Sequence, residues 1–443
     1  MNPFAEIKPA LALDEALEEA SRCLYCYDAP CTRACPTHID VPAFIKKIGS
    51  GNLRGSAATI LSANILGASC ARVCPTEVLC EGACVLNDLH HKPIKIGQLQ
   101  RHATDWAMSH GMRPFVAGTK QAGSVGILGA GPSGLACAAE LLQLGIEAVI
   151  YEASERPGGL NTTGVAEYKM TPEFSLREIA WLVEAGVQIQ YGADVGGSGP
   201  SLSALEARHD FLFVGVGLGS IAPLGISGDQ LSGVVDALAF IEELKLERSR
   251  AHVGKRVAVV GGGNTAIDAV TQAQRLGAEE VHLIYRRGPE EMPAYHHEVE
   301  LAKQSSCRFH FLVNPLRVVG DAQGRVAGLE LQRMRLGDAD ASGRRTPEAI
   351  PGETLLLPVD MVIPATGQKA RSLLDQLPGV KLDRGKVLVD ERTMQTSNSR
   401  YYAGGDCVSG GQEVVNAVAE GKRAATQIAA QLQQLSRQAQ RKA

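Results

Sequence analysis

No apolar run in this 443-residue sequence is long enough to cross a membrane. The longest, residues 211–226, is broken by Gly215, Gly217, Gly219 and Pro223 and falls short of the ~20 residues a spanning helix needs. The first twenty residues hold one lysine, five acidic residues and no apolar core, so no secretory signal is expected and the chain reads as cytoplasmic. An excess of positive charge is missing too: 44 Lys and Arg stand against 48 Asp and Glu, a net charge of −4. That balance excludes a global field for nucleic acid or for an anionic membrane. There is no GxSxG motif, and the histidines of His90-His91 and His296-His297 are adjacent pairs that a helix cannot turn onto one ion. Serine-nucleophile and zinc-hydrolase chemistry are therefore not expected. With 45% hydrophobic and 21% charged residues, disorder, collagen and coiled coil are excluded as well.

Glycine (48 residues) and cysteine (11) are what the sequence has in quantity. Eight cysteines fall between positions 23 and 84, whereas Cys137, Cys307 and Cys407 are scattered. In a cytoplasmic chain of this length such a cluster reads as metal or cluster ligation rather than a disulfide scaffold. Cys23-x2-Cys26-x4-Cys31-x3-Cys35-Pro36 is close to the ferredoxin run, in which the last cysteine before proline ligates the other cluster of a pair. The spacing then assigns Cys23, Cys26 and Cys31 to one [4Fe–4S] cluster with an open position, and Cys35, Cys74, Cys80 and Cys84 to a second. Zinc is the competing reading, although zinc sites rarely use the Cys-Pro pattern.

Glycine-rich turns appear twice in equivalent surroundings. Gly129-Ala130-Gly131-Pro132-Ser133-Gly134 follows the apolar strand Ser124–Leu128 and opens a helix; Glu152 closes the next strand. The three glycines suit a tight turn, close approach of backbone N–H groups to a pyrophosphate, and helix-on-strand packing, while the acid suits a ribose diol. Gly158-Gly159-Leu160 just downstream, and Gly405-Asp406 near the C-terminus, favour FAD in this site. The second turn, Gly261-Gly262-Gly263-Asn264-Thr265-Ala266, is followed by a strand that ends in Tyr285-Arg286-Arg287 instead of an acid. Two guanidiniums there point to the extra phosphate of NADP. A solvated basic strand end is the alternative, because Glu290 and Glu291 follow. Ala365-Thr366-Gly367 ends a later apolar strand and is expected beside nicotinamide or flavin. Hydride transfer between stacked rings needs no acid–base side chain, so no catalytic residue is nominated.

The expected fold is α/β, with two Rossmann-type dinucleotide domains, the NAD(P) domain inserted in the FAD domain, after an N-terminal helical iron–sulfur domain. The expected boundaries are 1–120 for the two-cluster domain, 121–252 with 361–443 for the FAD domain, and 253–360 for the NAD(P) domain. A helix is expected from Leu13 with Asp14 as its N-cap, and the polar tail 436–443 is expected to fray.

This combination resembles the electron-input half of dihydropyrimidine dehydrogenases, which bacteria make as a separate subunit, and is similar to the small subunit of glutamate synthase. The resemblance covers nearly the whole chain. It implies an oxidoreductase subunit of pyrimidine catabolism that passes electrons from NAD(P)H through FAD and two [4Fe–4S] clusters to a partner. That partner, an FMN and iron–sulfur barrel subunit in a heterotetramer, would reduce uracil or thymine to the 5,6-dihydro form. The pyrimidine branch completes its first cluster with a glutamine sixteen residues after the last cysteine, where the glutamate synthase branch has glutamate; here Gln100 follows Cys84 at that distance. Cys70 matches no ligand position and is expected to be a buried structural thiol. The sequence departs from the animal enzymes at Lys169, where a flavin-side arginine is found, and at Pro293, where an arginine lies near the NADP phosphate. NAD stays open as the alternative nucleotide, and a glutamine amidotransferase as the alternative partner. A non-enzymatic nucleotide-binding scaffold is disfavoured by the intact glycines and cysteines.

Overall fold

The computed structural model describes residues 2–339 and 343–442. Among these, no helix is long and apolar enough to cross a membrane. The chain divides into two compact units. The larger comprises Ile7–Thr162, Lys169–Leu218 and residues from Ala370 onward; the smaller comprises Gly219–Lys369 with Thr163–Tyr168 and the N-terminal residues up to Glu6.

The larger unit opens with short helices, each fixed by local chemistry. Asp40 caps Val41–Gly49 by accepting from Ala43 N–H at 3.1 Å, with proline in the first turn. The first helix, Leu13–Ser21, begins at Leu13 as expected, but Asp14 is not its N-cap. Ala12 holds the cap position, its N–H donating to Glu15 at 2.8 Å, and Asp14 lies inside the first turn, where a carboxylate favours the positive end of the helix. Alternating strands and helices follow: β1 (Ser124–Leu128), β2 (Glu147–Tyr151), β3 (Gln188–Gln190) and β4 (Phe211–Val214). With the strand Tyr401–Ala403 they form one parallel sheet in the order Tyr401–Ala403, β4, β1, β2, β3. Except at the edge strand β3 (Gln-Ile-Gln), the strands are near-continuous apolar runs because both faces are covered. Helices Pro132–Gln143 and Val414–Lys442 pack tightly: a Cβ on Gly421 would lie 2.1 Å from Ser133 O. That last helix runs on to Lys442, so residues 436–442 of the tail expected to fray are helical, and Ala443 lies outside the described residues.

In the smaller unit, β5 (Arg256–Val260), β6 (Glu280–Tyr285) and β7 (Arg308–Phe311) are followed by an antiparallel set, β8 (Val313–Gly320), β9 (Val326–Ala339) and β10 (Arg345–Leu357). The chain then returns as β11 (Met361–Pro364), which pairs in parallel with β5, Met361 opposite Val257. The parallel sheet is thus β11, β5, β6, β7. This pairing keeps 361–364 in the smaller unit, which extends to Lys369 and begins at Gly219, a wider span than 253–360.

Candidate functional site

In an open parallel sheet a ligand sits outside the carboxyl ends of the strands, where the strand order reverses. In the larger unit that point lies between β1 and β4, and the first glycine turn leaves β1 there. Gly129 has φ +97°, and a Cβ on it would lie 2.6 Å from Gly215 O, so only glycine fits this turn. A Cβ on Gly134 would lie 2.1 Å from Gly129 O, whereas one on Gly131 would meet nothing closer than Gly215 O at 3.8 Å. The open space beside Gly131, at the N-terminus of Pro132–Gln143, is what a pyrophosphate needs. Glu152 is drawn to the same turn: its Oε2 accepts from Ala130 N–H at 2.7 Å and its Oε1 from Ser154 N–H at 2.9 Å.

Gly158-Gly159 and the Gly404–Gly405 turn meet this turn directly. Gly158 N–H donates to Ala130 O at 2.8 Å, which places Gly158-Gly159 against it, and Leu160 opens the short helix Leu160–Thr163. Ser133 Oγ donates to Gly404 O at 3.2 Å, joining it to the C-terminal glycine turn. Gly405 N–H donates to Glu420 Oε2, and Asp406 Oδ1 accepts from Gln412 N–H at 3.2 Å. Burial pushes the Asp406 carboxyl above the usual carboxylate range. Lys169 is half-buried at the chain's return to this unit.

The smaller unit repeats the plan. A Cβ on Gly261 would lie 2.4 Å from Ala365 O, which sets Ala365 at the carboxyl end of β11 beside the second turn. Gly263 has open space around it, as Gly131 has. Asn264 does not face that space with its amide oxygen, which accepts from Tyr295 N–H at 3.0 Å, and Thr265 lies in the first turn of Asn264–Arg275. Thr366 Oγ1 donates to Ala222 O at 3.3 Å, and Gly367 O accepts from Ala222 N–H at 3.0 Å. The arginine pair is split. Arg286 is exposed, but Arg287 is only 9% exposed and its Nε donates to Arg345 O at 2.9 Å. Both lie in the bend beyond Tyr285, the last residue of β6, and the bend turns only Arg287 inward.

The cysteines regroup relative to the spacing. Cys23, Cys26, Cys31 and Cys84 line one cavity, walled by Leu24, Pro30, Val41, Pro42, Ile45, Val85, Leu86, Ile94 and Ile96. Cys84 therefore belongs with the first run. Its 3₁₀ turn, Val85–Asn87, folds it back over that run. Cys74 hydrogen-bonds with Cys70 and senses Cys80 and Cys35, and Cys80 senses Cys35 and, less, Cys31. Burial and neighbouring thiols push Cys23 up and Cys31 up to about 11, and burial raises Cys80. Such thiols become thiolates only against a cation. Among the described residues, no three Cys, His, Asp or Glu side chains converge as a single ion would require; four thiols around a multi-iron cluster stand further apart. Gln100 is 7% exposed and its Nε2 donates to Gly67 O at 2.7 Å. Cys70 is buried, as expected.

A buried network that the sequence did not signal joins the cluster helices to the flavin turn. Glu178 is fully buried and accepts from Ala68 N–H at 2.9 Å, Ser69 N–H at 3.1 Å and Ser69 Oγ, at the start of helix Gly67–Val73. Asn161 Nδ2 donates to Ser69 Oγ at 3.0 Å and Ser175 Oγ at 3.2 Å. Burial pushes the Glu178 carboxyl from 4.5 up to about 7, more than these donors lower it. The native state therefore holds its proton where the unfolded chain has lost it, and stability falls as pH rises between these values, by on the order of 3 kcal/mol. Glu178→Gln is expected to remove that loss: the gain in Tm of the variant over wild type grows between pH 5.5 and 7.5. A gap independent of pH would refute it.

Comparison with known proteins gives the same two parts. Residues 123–421 match the family model of pyridine nucleotide-disulphide oxidoreductases, and residues 1–112 match the model for dihydropyrimidine dehydrogenase domain II, 4Fe-4S cluster. The chain is 36% identical over 442 residues to the glutamate synthase [NADPH] small chain of Escherichia coli K12, covering 96% of this chain and 93% of that one. It is 35% identical over 429 residues to the NAD-dependent dihydropyrimidine dehydrogenase subunit PreT homolog of Salmonella typhi, covering 96% and 97%. Among solved structures it is similar in fold to Mycobacterium tuberculosis FprA in complex with NADPH, with TM-score 0.60 and 20% identity over 72% of this chain and 86% of that one.

Proposed function

The chain belongs to the pyridine nucleotide-disulphide oxidoreductase family, and on that premise we propose that it is the electron-input subunit of a dihydropyrimidine dehydrogenase. As a member with an N-terminal 4Fe-4S domain, it is an NAD(P)-dependent flavin and iron–sulfur oxidoreductase. FAD and the two clusters, when bound, would supply hydride acceptance from NAD(P)H and single-electron transfer toward a partner.

This chain's residues hold and isolate those groups. The turn Gly129–Gly134, with Glu152, Gly158 and Gly159, holds the dinucleotide. Cys23, Cys26, Cys31 and Cys84 hold one cluster in the apolar cavity. Cys35, Cys74 and Cys80 hold the other; because Cys84 fills the position left open beside Cys23, Cys26 and Cys31, Gln100 passes from that cluster to this one as its fourth ligand. The observation that carries the pyrimidine reading is Gln100: buried, and anchored through its amide nitrogen to Gly67 O, it keeps its oxygen as the end able to bind iron. A neutral ligand leaves the cluster less negative than a glutamate would, which shifts its potential.

The test is anaerobic isolation of the tagged chain with its partner. An FMN-containing barrel subunit and uracil-dependent NAD(P)H oxidation support the proposal. A large amidotransferase subunit would overturn it in favour of glutamate synthesis, a reading that the equal identity to a glutamate synthase small chain keeps in view.

Within the nucleotide site, exposed Arg286 is the side chain that selects NADP. Arg286→Ala is expected to lower kcat/KM for NADPH about 10- to 100-fold, the worth of a charge-assisted hydrogen bond, with NADH changed about twofold at most. Equal losses for both nucleotides would reject the assignment.

A further inference from the structure

Arg286 and Arg287 are followed by two acids, and a carboxylate beside a phosphate site opposes it. One of these, Glu291, is 8% exposed, and the structure pairs it away. Arg345, the first residue of β10, lies with Nε and Nη2 each 2.6 Å from Glu291 Oε1. Glu291 Oε2 accepts from Gly288 N–H at 3.1 Å, which folds the 288–291 turn back on itself. The same Arg345 offers its carbonyl to Arg287 Nε at 2.9 Å. Tyr285, whose ring lies 2.4 Å from where a Cβ on Gly262 would sit, donates through its hydroxyl to Glu291 O at 2.6 Å. The hairpin that carries Arg345 abuts this turn: Leu336 Cδ1 of β9 is 3.6 Å from the Cβ position of Gly288.

We propose that Arg345 is a specificity-determining residue for the phosphorylated nucleotide, its side chain acting from the β9–β10 hairpin by neutralising Glu291; the Arg287 contact is to its backbone carbonyl, which the substitutions below leave in place. The inference rests on the NADP reading of Arg286 given above. An arginine suits the task because its fork reaches the acid with two N–H groups while its charge cancels the one that would repel the phosphate. Without it, Glu291 keeps only the Gly288 N–H among these partners, and a buried carboxylate five residues beyond Arg286 is left with its charge uncancelled.

The experiment uses the full FAD-loaded chain, with NADPH and NADH oxidation followed with ferricyanide and NADP+ and NAD+ binding followed by calorimetry. Arg345→Ala is expected to lower the NADPH-to-NADH ratio of kcat/KM about tenfold, carried mainly by KM, the scale of one charged hydrogen bond. Adding Glu291→Gln is expected to restore most of that ratio, a rescue that a mere strut would not give. Arg345→Lys, which keeps the charge but not the fork, falls between and serves if the alanine variant does not fold. Equal loss for both nucleotides, or no rescue by the double variant, overturns the proposal. If Arg286→Ala abolishes a wild-type preference for NADPH and Arg345→Ala leaves it intact, only the role of Arg345 fails. If wild type prefers NADH and Arg286→Ala leaves the ratio unmoved, the NADP reading falls and takes this one with it.

Discussion

Cys84→Ser is expected to cost the protein about half its iron and sulfide and leave the rest in place. Cys84 shares its cavity with Cys23, Cys26 and Cys31, so its loss opens the cluster held there. Cys35→Ser is expected to remove the other half, because Cys35 interacts with Cys74 and Cys80. The double variant Cys23→Ser/Cys84→Ser should then lose no more iron than either single variant, whereas Cys35→Ser/Cys84→Ser should lose nearly all. The grouping read from spacing alone, with Cys84 beside Cys35, predicts the opposite pattern. Iron and sulfide analysis with low-temperature EPR of the dithionite-reduced variants decides between them. The effect is large because these thiols lie among apolar side chains, and a removed ligand is not replaced by water at no cost.

FAD content is expected to respond to Gly131→Ala and Gly134→Ala for different reasons. At Gly134 the new methyl would stand 2.1 Å from Gly129 O, a backbone contact that must push helix from strand. That variant is expected to lose stability, by a few kcal/mol as an overpacked site does, along with most of its flavin. At Gly131 the nearest atom is 3.8 Å away, so the apoprotein should melt like wild type while the methyl occupies space meant for the pyrophosphate. Flavin absorbance after gel filtration, set beside Tm measured on flavin-free samples, separates the two. A Gly131→Ala variant that keeps wild-type flavin would remove the first turn from the site.

Much of the molecule is legible in sequence because the relevant physics is short-ranged. A strand that ends in Gly129-Ala130-Gly131 and continues as a proline-started helix is determined by torsions and packing over about ten residues. The repeat at Gly261 reads the same way. The parallel sheets and the placement of Glu152, Ala365 and the Gly404–Gly405 turn follow from connecting such units. Local reading erred where one residue's backbone decides: Asp14 is inside the first turn because Ala12 caps it.

Only tertiary structure could decide which distant groups share a point in space. Cys84 joins Cys23, Cys26 and Cys31 because the turn after it folds back over them, and spacing carries no record of that. Arg287 looks equivalent to Arg286 in sequence, yet a carbonyl 58 residues away takes its Nε. Glu291 reads as an opponent of a phosphate site until Arg345 is seen beside it. Glu178 carries no signal at all in sequence, and becomes a buried acid only where Ala68 and Ser69 present their N–H groups to it. Element type and turn chemistry are thus determined by the sequence itself, because they depend on neighbours along the chain. Ligand grouping and charge pairing are determined by the fold, because Coulomb forces and burial depend on distance through space.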